Sequence, residues 1–214
     1  MFDFDITFFQ SVQFIVFRSI AAIIAVTLHK YTKAATSWRL GDNLPKLDGR
    51  LSINPFKHIE PLGFLLLLLW GYGWGKPLET SPMYYSNAKR GTMLVNALPI
   101  VVNVLISVMA GVAAFTVNHF GYGSDGAAEI AVSLVYGFFY HVAIINAGLA
   151  FINVLPIYPL GGWFVFEAIL NTEAKIKMRK LRRYMQALLI VIIISGFAGL
   201  VFSPMIDLIV GFAR

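Results

Sequence analysis

Apolar runs long enough to cross a lipid bilayer recur along the whole chain, and they leave few folds open to it. About 20 consecutive apolar residues span the hydrocarbon core. The stretches at about 8–35, 92–116, 129–155 and 187–211 meet that length. Hydrophobic residues make up 58% of the 214 positions and charged residues 13%, against roughly 45–50% and 25% in soluble domains. The expectation is an all-α polytopic membrane protein, a single membrane domain over residues 1–214. Two further apolar pieces, about 61–75 and 160–170, are too short to cross. The first, ending in Trp70-Gly71-Tyr72-Gly73-Trp74-Gly75, fits a re-entrant or short helix.

The N-terminus, Met1-Phe2-Asp3-Phe4-Asp5, has no basic n-region, so the first apolar segment is expected to stay rather than be cleaved as a signal peptide. With no cysteine there are no disulfides and no thiolate metal sites. The net charge of +6 points to anionic lipid rather than nucleic acid, because basic loops of membrane proteins collect on the cytoplasmic side. Residues 38–91 hold seven lysines and arginines and residues 171–185 hold six, whereas the His119–Ala128 loop holds none. The asymmetry predicts four crossings with both termini outside and the motif regions near the cytoplasmic face.

Between the spans the character changes. Gly41-Asp42-Asn43, Pro45, Asp48-Gly49-Arg50 and Asn54-Pro55 punctuate short strand-like pieces, which predicts a small surface β-hairpin over about 38–60. In 173–185, Ala174, Met178, Leu181 and Met185 form one helical stripe, while Lys175, Lys177, Arg179, Lys180, Arg182 and Arg183 cover the rest. This basic amphipathic segment is expected to lie on anionic lipid. In the last span, Gly196 and Gly199 are expected to allow close helix approach. Arg18 falls near the middle of the first span, where an unpaired charge costs about 2.5–3.5 kcal/mol. It should therefore face protein, a partner or water, with a structural salt bridge the simplest arrangement.

The end of the first span carries the stretch with chemical content, Thr27-Leu28-His29-Lys30-Tyr31-Thr32-Lys33-Ala34. In a His-Glu-x-x-His helix two imidazoles one turn apart hold zinc, and the glutamate deprotonates the metal-bound water. Here the spacing survives, but Lys30 stands in the glutamate position and Lys33 in that of the second histidine.

Four stretches in order resemble the compact bacterial site-2 proteases, which are intramembrane zinc metalloproteases. They are His29-Lys30-Tyr31-Thr32-Lys33-Ala34; Leu40-Gly41-Asp42 with the run Gly49 to Gly63; Gly73-Trp74-Gly75-Lys76-Pro77; and Asn153-Val154-Leu155-Pro156-Ile157-Tyr158-Pro159-Leu160-Gly161-Gly162. The resemblance puts the first zinc ligand on His29, the general base on Lys30, the second ligand on Lys33 and the aspartate ligand on Gly161. Three of these four positions are degenerate, so no catalytic residue and no zinc are expected. The family's Ala-Gly-Pro-x-x-Asn reads Ala97-Leu98-Pro99-Ile100-Val101-Val102-Asn103, with the asparagine displaced by one position.

The resemblance then implies an inactive membrane homologue, a pseudoprotease that serves as a scaffold, a subunit or a client-binding protein in a larger assembly. Its partners would be membrane lipids and membrane proteins or transmembrane clients, contacted through Arg18, Lys30, Lys33, Asn153, Pro156 and Glu167. Lys30 and Lys33 have two readings: they pair with a carboxylate, for which Glu167 is a candidate, or they snorkel to the interface. Asn153 with Pro156 is read first as a helix terminus. Two rivals stand beside this one, a protease whose metal site is rebuilt from His29 with His58, His119 or His141, and a transporter or ion-conducting subunit with Arg18, Lys30 and Lys33 on a polar path. Internal repeats that would favour a transporter are not found.

Overall fold

A computed structural model describes residues 4–121 and 125–213, apart from the side chains of residues 4–10. The first three residues, part of the 119–128 loop and Arg214 lie outside the described residues. Among those described the protein is all-helical, with no strand. Three helices are long and apolar enough to cross a membrane: α1 (Phe4–Arg39), α4 (Ala88–Gly121) and α5 (Ala127–Ile152). They pack on one another as the core of the fold, with Ala21, Ala22, Ala25, Ala110, Ala114, Ala143 and Ala147 buried. Small side chains allow helices without a hydrophobic drive between them to approach closely.

The β-hairpin expected over 38–60 does not form. Instead α1 runs on to Arg39, a single turn α2 (Leu44–Leu47) follows, and a 3-10 turn covers Pro55–Lys57. Side chains satisfy this backbone in place of a ladder. Asp42, fully buried, accepts from the Leu44 and Ser81 amides at 3.0 and 2.8 Å and from the Ser37 hydroxyl at 2.8 Å. Arg50 donates to the carbonyls of Lys57 and Pro77. Pro45 and Pro55 remove donors that strand pairing would need.

His58 is buried in this layer and its Nε2 donates to the Ser52 carbonyl at 2.6 Å. Burial holds its pKa below 6.5; Arg50 pushes the same way, and the Ser52 bond opposes. The folded state therefore resists protonation. Stability from this site is complete above pH 6.5 and falls as pH drops below it. Thermal unfolding of wild type against His58→Gln is expected to show a midpoint difference that changes between pH 7 and pH 5.

Helix α3 (Pro61–Trp70) spans ten residues, about 15 Å, too short to cross. It begins at Glu60, whose carboxylate accepts from the Gly63 amide at 2.6 Å, and ends at left-handed Gly71. The chain then continues outside helices toward Pro82 and runs against α5 so closely that a Cβ on Gly148 would land on the Gly71 carbonyl oxygen. Gly148→Ala is expected to cost about 2 kcal/mol, read as a drop of about 4–8 °C in the unfolding midpoint.

After α5 come α6 (Gly161–Ile169), α7 (Thr172–Lys180), α8 (Arg182–Ile194) and α9 (Phe197–Val210). The last span is not one straight helix. Its two halves bend by 67° at Ser195 and Gly196, where Gly196 takes φ +78°. With the bent pair counted as one crossing there are up to four. Gly196 and Gly199 serve no close helix packing, since a Cβ on either meets nothing within 4 Å. The basic segment 173–185 is likewise split, α7 ending and α8 beginning on either side of Leu181.

Candidate functional site

The degenerate motif lies on α1, and its three side chains point inward. His29, Lys30 and Lys33 are 4%, 7% and 6% exposed, so neither lysine snorkels to the surface. His29 and Lys33, four residues apart, share one helix face. Opposite them α4 supplies Asn103, whose Oδ1 lies 2.7 Å from His29 Nδ1. An amide oxygen only accepts, so Nδ1 carries the proton and Nε2 keeps its lone pair. Asn103 Nδ2 in turn donates to Asn146 Oδ1 on α5 at 2.8 Å, and Asn146 Nδ2 to the Val142 carbonyl at 2.8 Å. The result is a directed chain of buried hydrogen bonds that locks α1, α4 and α5 in register. Asn103 is the displaced asparagine of the 92–116 span, whereas Asn146 carries no motif signal and becomes visible only in three dimensions.

The fourth motif position enters from α6. Asn153 closes α5 and holds this turn: its Oδ1 accepts from the Gly161 amide at 3.2 Å, its carbonyl from the Gly162 amide at 2.7 Å, and its Nδ2 donates to the Leu149 carbonyl at 2.7 Å. The helix-terminus reading of Asn153 accounts for all three bonds, while Pro156 beside it is exposed. Gly161 is then pressed against α4. A Cβ there would lie 3.0 Å from the Asn96 carbonyl oxygen and 3.5 Å from that of Asn153. Lys33 meets α6, its Nζ 4.4 Å from the centre of the Phe164 ring. Asn96 and Asn103 are two turns apart on α4, so one helix face brings the two halves of the motif together.

The donor set does not fit zinc. A catalytic site uses about three protein ligands bearing nitrogen, oxygen or sulfur lone pairs. Here His29 alone offers one, Gly161 offers none, and the flanking groups are amines. Among the described residues no three His, Cys, Asp or Glu side chains are grouped to hold a metal. The histidines considered for a rebuilt site are occupied elsewhere. His141 Nδ1 bonds the Gly137 carbonyl at 2.7 Å and its ring packs on Phe14 and Phe17, and His119 stacks on Phe115. His58 uses its Nε2 on the Ser52 carbonyl, and its own carbonyl oxygen and Lys30 Cε both border Gly75.

Two further expectations are corrected. Glu167 does not pair with Lys30 or Lys33; it takes Arg179 Nε on Oε1 at 2.6 Å and Arg182 Nη2 on Oε2 at 3.3 Å. Those two arginines therefore tie α7 and α8 to α6, whereas Lys177 pairs with Glu173 on its own helix. The reason is reach: Glu167 sits on the α6 face toward the basic segment, and long guanidinium arms cross that gap. Arg18 forms no salt bridge with any described carboxylate. It is half-buried, with its guanidinium carbon 5.1 Å from the Phe14 ring centre and its Nε buried without a partner.

Sequence comparison places relatives beside this geometry. The chain is 27% identical over 188 residues to the Bacillus subtilis protein named "Putative zinc metalloprotease YwhC", an alignment covering 88% of this chain and 84% of that one. It is thus a homologue of a protein named as a zinc metalloprotease. A second relative, "Putative zinc metalloprotease Rip2" of Mycolicibacterium smegmatis, is 25% identical over 179 residues, 81% of this chain and 64% of its own length. No family model and no solved structure matches the chain. Its helical membrane architecture and its homology to proteins named as metalloproteases agree; His29 and Gly161 both lie against α4, at Asn103 and Asn96. What differs is the chemistry at those positions.

Proposed function

We propose that the chain is a catalytically inactive homologue of the site-2 proteases that works as a membrane scaffold, subunit or client-binding protein in a larger assembly. The observation that carries this reading is the replacement of three of four motif positions, with Gly161 held so close to the α4 backbone that a side-chain ligand there is crowded. Loss on both α1 and α6 is harder to repair than a change in one ligand. The inward, buried setting of Lys30 and Lys33 supports a role in holding an acidic group of a membrane partner, because a carboxylate would relieve the cost of two buried amines. The basic ends of the helices, by the positive-inside rule, would face the cytoplasm of a bacterial inner membrane.

The test uses the full chain purified in a neutral detergent. Zinc is expected well below one atom per chain, with no cleavage of transmembrane peptides. Zinc near one per chain, together with proteolysis that His29→Ala abolishes, overturns the reading in favour of a rebuilt protease. In vivo crosslinking through Lys30 and Lys33 positions, followed by identification of the captured membrane proteins, names the partner.

A further inference from the structure

At the end of the bundle where α1 finishes and α4 begins lies a cavity of about 710 Å³, walled by the 77–82 loop, the first turns of α4, α6, α7 and the start of α8. Four basic side chains line it: Lys89, Lys175, Arg179 and Arg182. Only two carboxylates, Glu79 and Glu167, oppose them. Glu167 is already committed to both arginines. Those contacts leave donors unused, because Arg179 binds through Nε alone and Arg182 through Nη2 alone. Arg182 Nε is buried and has no partner. Lys89 and Lys175 form no ion pair with any described residue.

The deeper wall carries a second, independent sign of a ligand. Asn96 is 2% exposed and lines the cavity, and its Nδ2 is used on the Thr92 carbonyl at 2.8 Å. Its Oδ1 is buried with no hydrogen-bond partner. A buried acceptor in that state is costly unless something donates to it. Tyr158 and Phe164 provide an apolar flank beside it. The cavity thus presents surplus cationic donors and one acceptor that calls for a hydroxyl or N–H.

We propose that this cavity binds an anionic phosphodiester that carries a hydroxyl group, the chemistry of a phosphoglycerol headgroup. The phosphate oxygens meet Lys89, Lys175 and the unused arginine nitrogens, and the hydroxyl donates to Asn96 Oδ1. The hydroxyl separates this headgroup from a plain carboxylate, because the cations take either anion but only the hydroxyl supplies a donor to Asn96 Oδ1. The same chemistry can come from a membrane lipid or from a free glycerophosphodiester. The inference deepens the expectation of anionic lipid at the basic segment, moving it from an exposed stripe to a formed cavity. It does not depend on the loss of catalysis, which zinc and protease assays test separately.

The experiment is calorimetric titration of the full chain in neutral detergent with dihexanoyl phosphatidylglycerol, phosphatidylmethanol and phosphatidylcholine, and with glycerophosphoglycerol as the soluble phosphodiester. Phosphatidylglycerol is expected to bind about tenfold tighter than phosphatidylcholine. Lys89→Gln combined with Lys175→Gln is expected to weaken phosphatidylglycerol and phosphatidylmethanol alike while leaving the Glu167 contacts and the unfolding midpoint in place. Asn96→Ala is expected to bring phosphatidylglycerol down to the affinity of phosphatidylmethanol, which lacks the hydroxyl. Equal binding of glycerophosphoglycerol and the lipid supports the site with a soluble ligand; binding of the lipid alone supports a membrane source. Equal affinity for phosphatidylglycerol and phosphatidylcholine overturns the proposal. So does an acidic peptide that binds the cavity when neither phosphate probe does.

Discussion

Lys30→Glu combined with Lys33→His is expected to raise the zinc affinity of the chain by about 100-fold without restoring proteolysis. The double change rebuilds two imidazoles one turn apart on α1, and His29 already has its Nδ1 proton engaged by Asn103 and its Nε2 lone pair free. A histidine oriented by a hydrogen bond on its other nitrogen is prepared for a metal. It also removes two amines whose charge would repel a dication. Catalysis stays absent because the third ligand is still missing. Adding Gly161→Asp is expected to give little more, since its Cβ would sit 3.0 Å from the Asn96 carbonyl oxygen and either α4 or α6 must shift. Metal analysis after gel filtration, with a peptide-cleavage assay beside it, reads both halves. Wild type that already retains zinc as tightly as the double variant contradicts the prediction.

The second large effect is stabilisation. Lys30 and Lys33 are nearly fully buried, and no described carboxylate lies within salt-bridge distance of either. A buried charge without a partner costs several kcal/mol, and replacing it by an apolar side chain of similar length recovers part of that. Lys30→Met with Lys33→Met is expected to stabilise the chain by about 3 kcal/mol, a midpoint rise on the order of 10 °C. Lys30 should give the larger share. The Lys33 amine has the Phe164 face 4.4 Å away, and a cation over an aromatic ring offsets about 1 kcal/mol of its burial. If the two lysines serve a membrane partner, the same variant loses the crosslinked partner while unfolding later. A fall in the midpoint would show that the amines are matched by charges in the folded chain, and that outcome defeats the argument.

The opposite signs of gained stability and lost partner separate two kinds of site. A residue retained for packing gains nothing in the fold from being a lysine. One retained for a partner is a local cost in the free chain that the complex relieves. The Glu167 contacts provide the contrast within the same molecule, because there the carboxylate and its arginines meet across α6, α7 and α8, and truncating Glu167 leaves two guanidinium groups short of a partner.

The sequence by itself determined the parts of this protein governed by local composition and spacing. The three long spans are set by apolar length, the polar connectors by proline and glycine, and the helix break after α5 by Asn153 and the prolines beyond it. The degeneracy of the motif was legible too, because His29, Lys30 and Lys33 keep a helical register and the Asn153 to Gly162 frame is intact. The β-hairpin was misjudged because the strand-like pieces of 38–60 are stabilised by long-range side-chain bonds, Asp42 to Ser81 and Arg50 to Pro77, which no window of local sequence contains. The same limit applies to the lysines, whose exposure depends on what packs over them rather than on how far their methylenes reach. Tertiary structure alone decided that Glu167 belongs to the arginines, that Asn103 and Asn146 extend the His29 bond across three helices, and that Asn96 Oδ1 is left facing a basic cavity. The physical reason is common to all of them: a buried polar group takes whichever partner the packing of distant helices brings within about 3 Å, and spacing along the chain does not encode that distance.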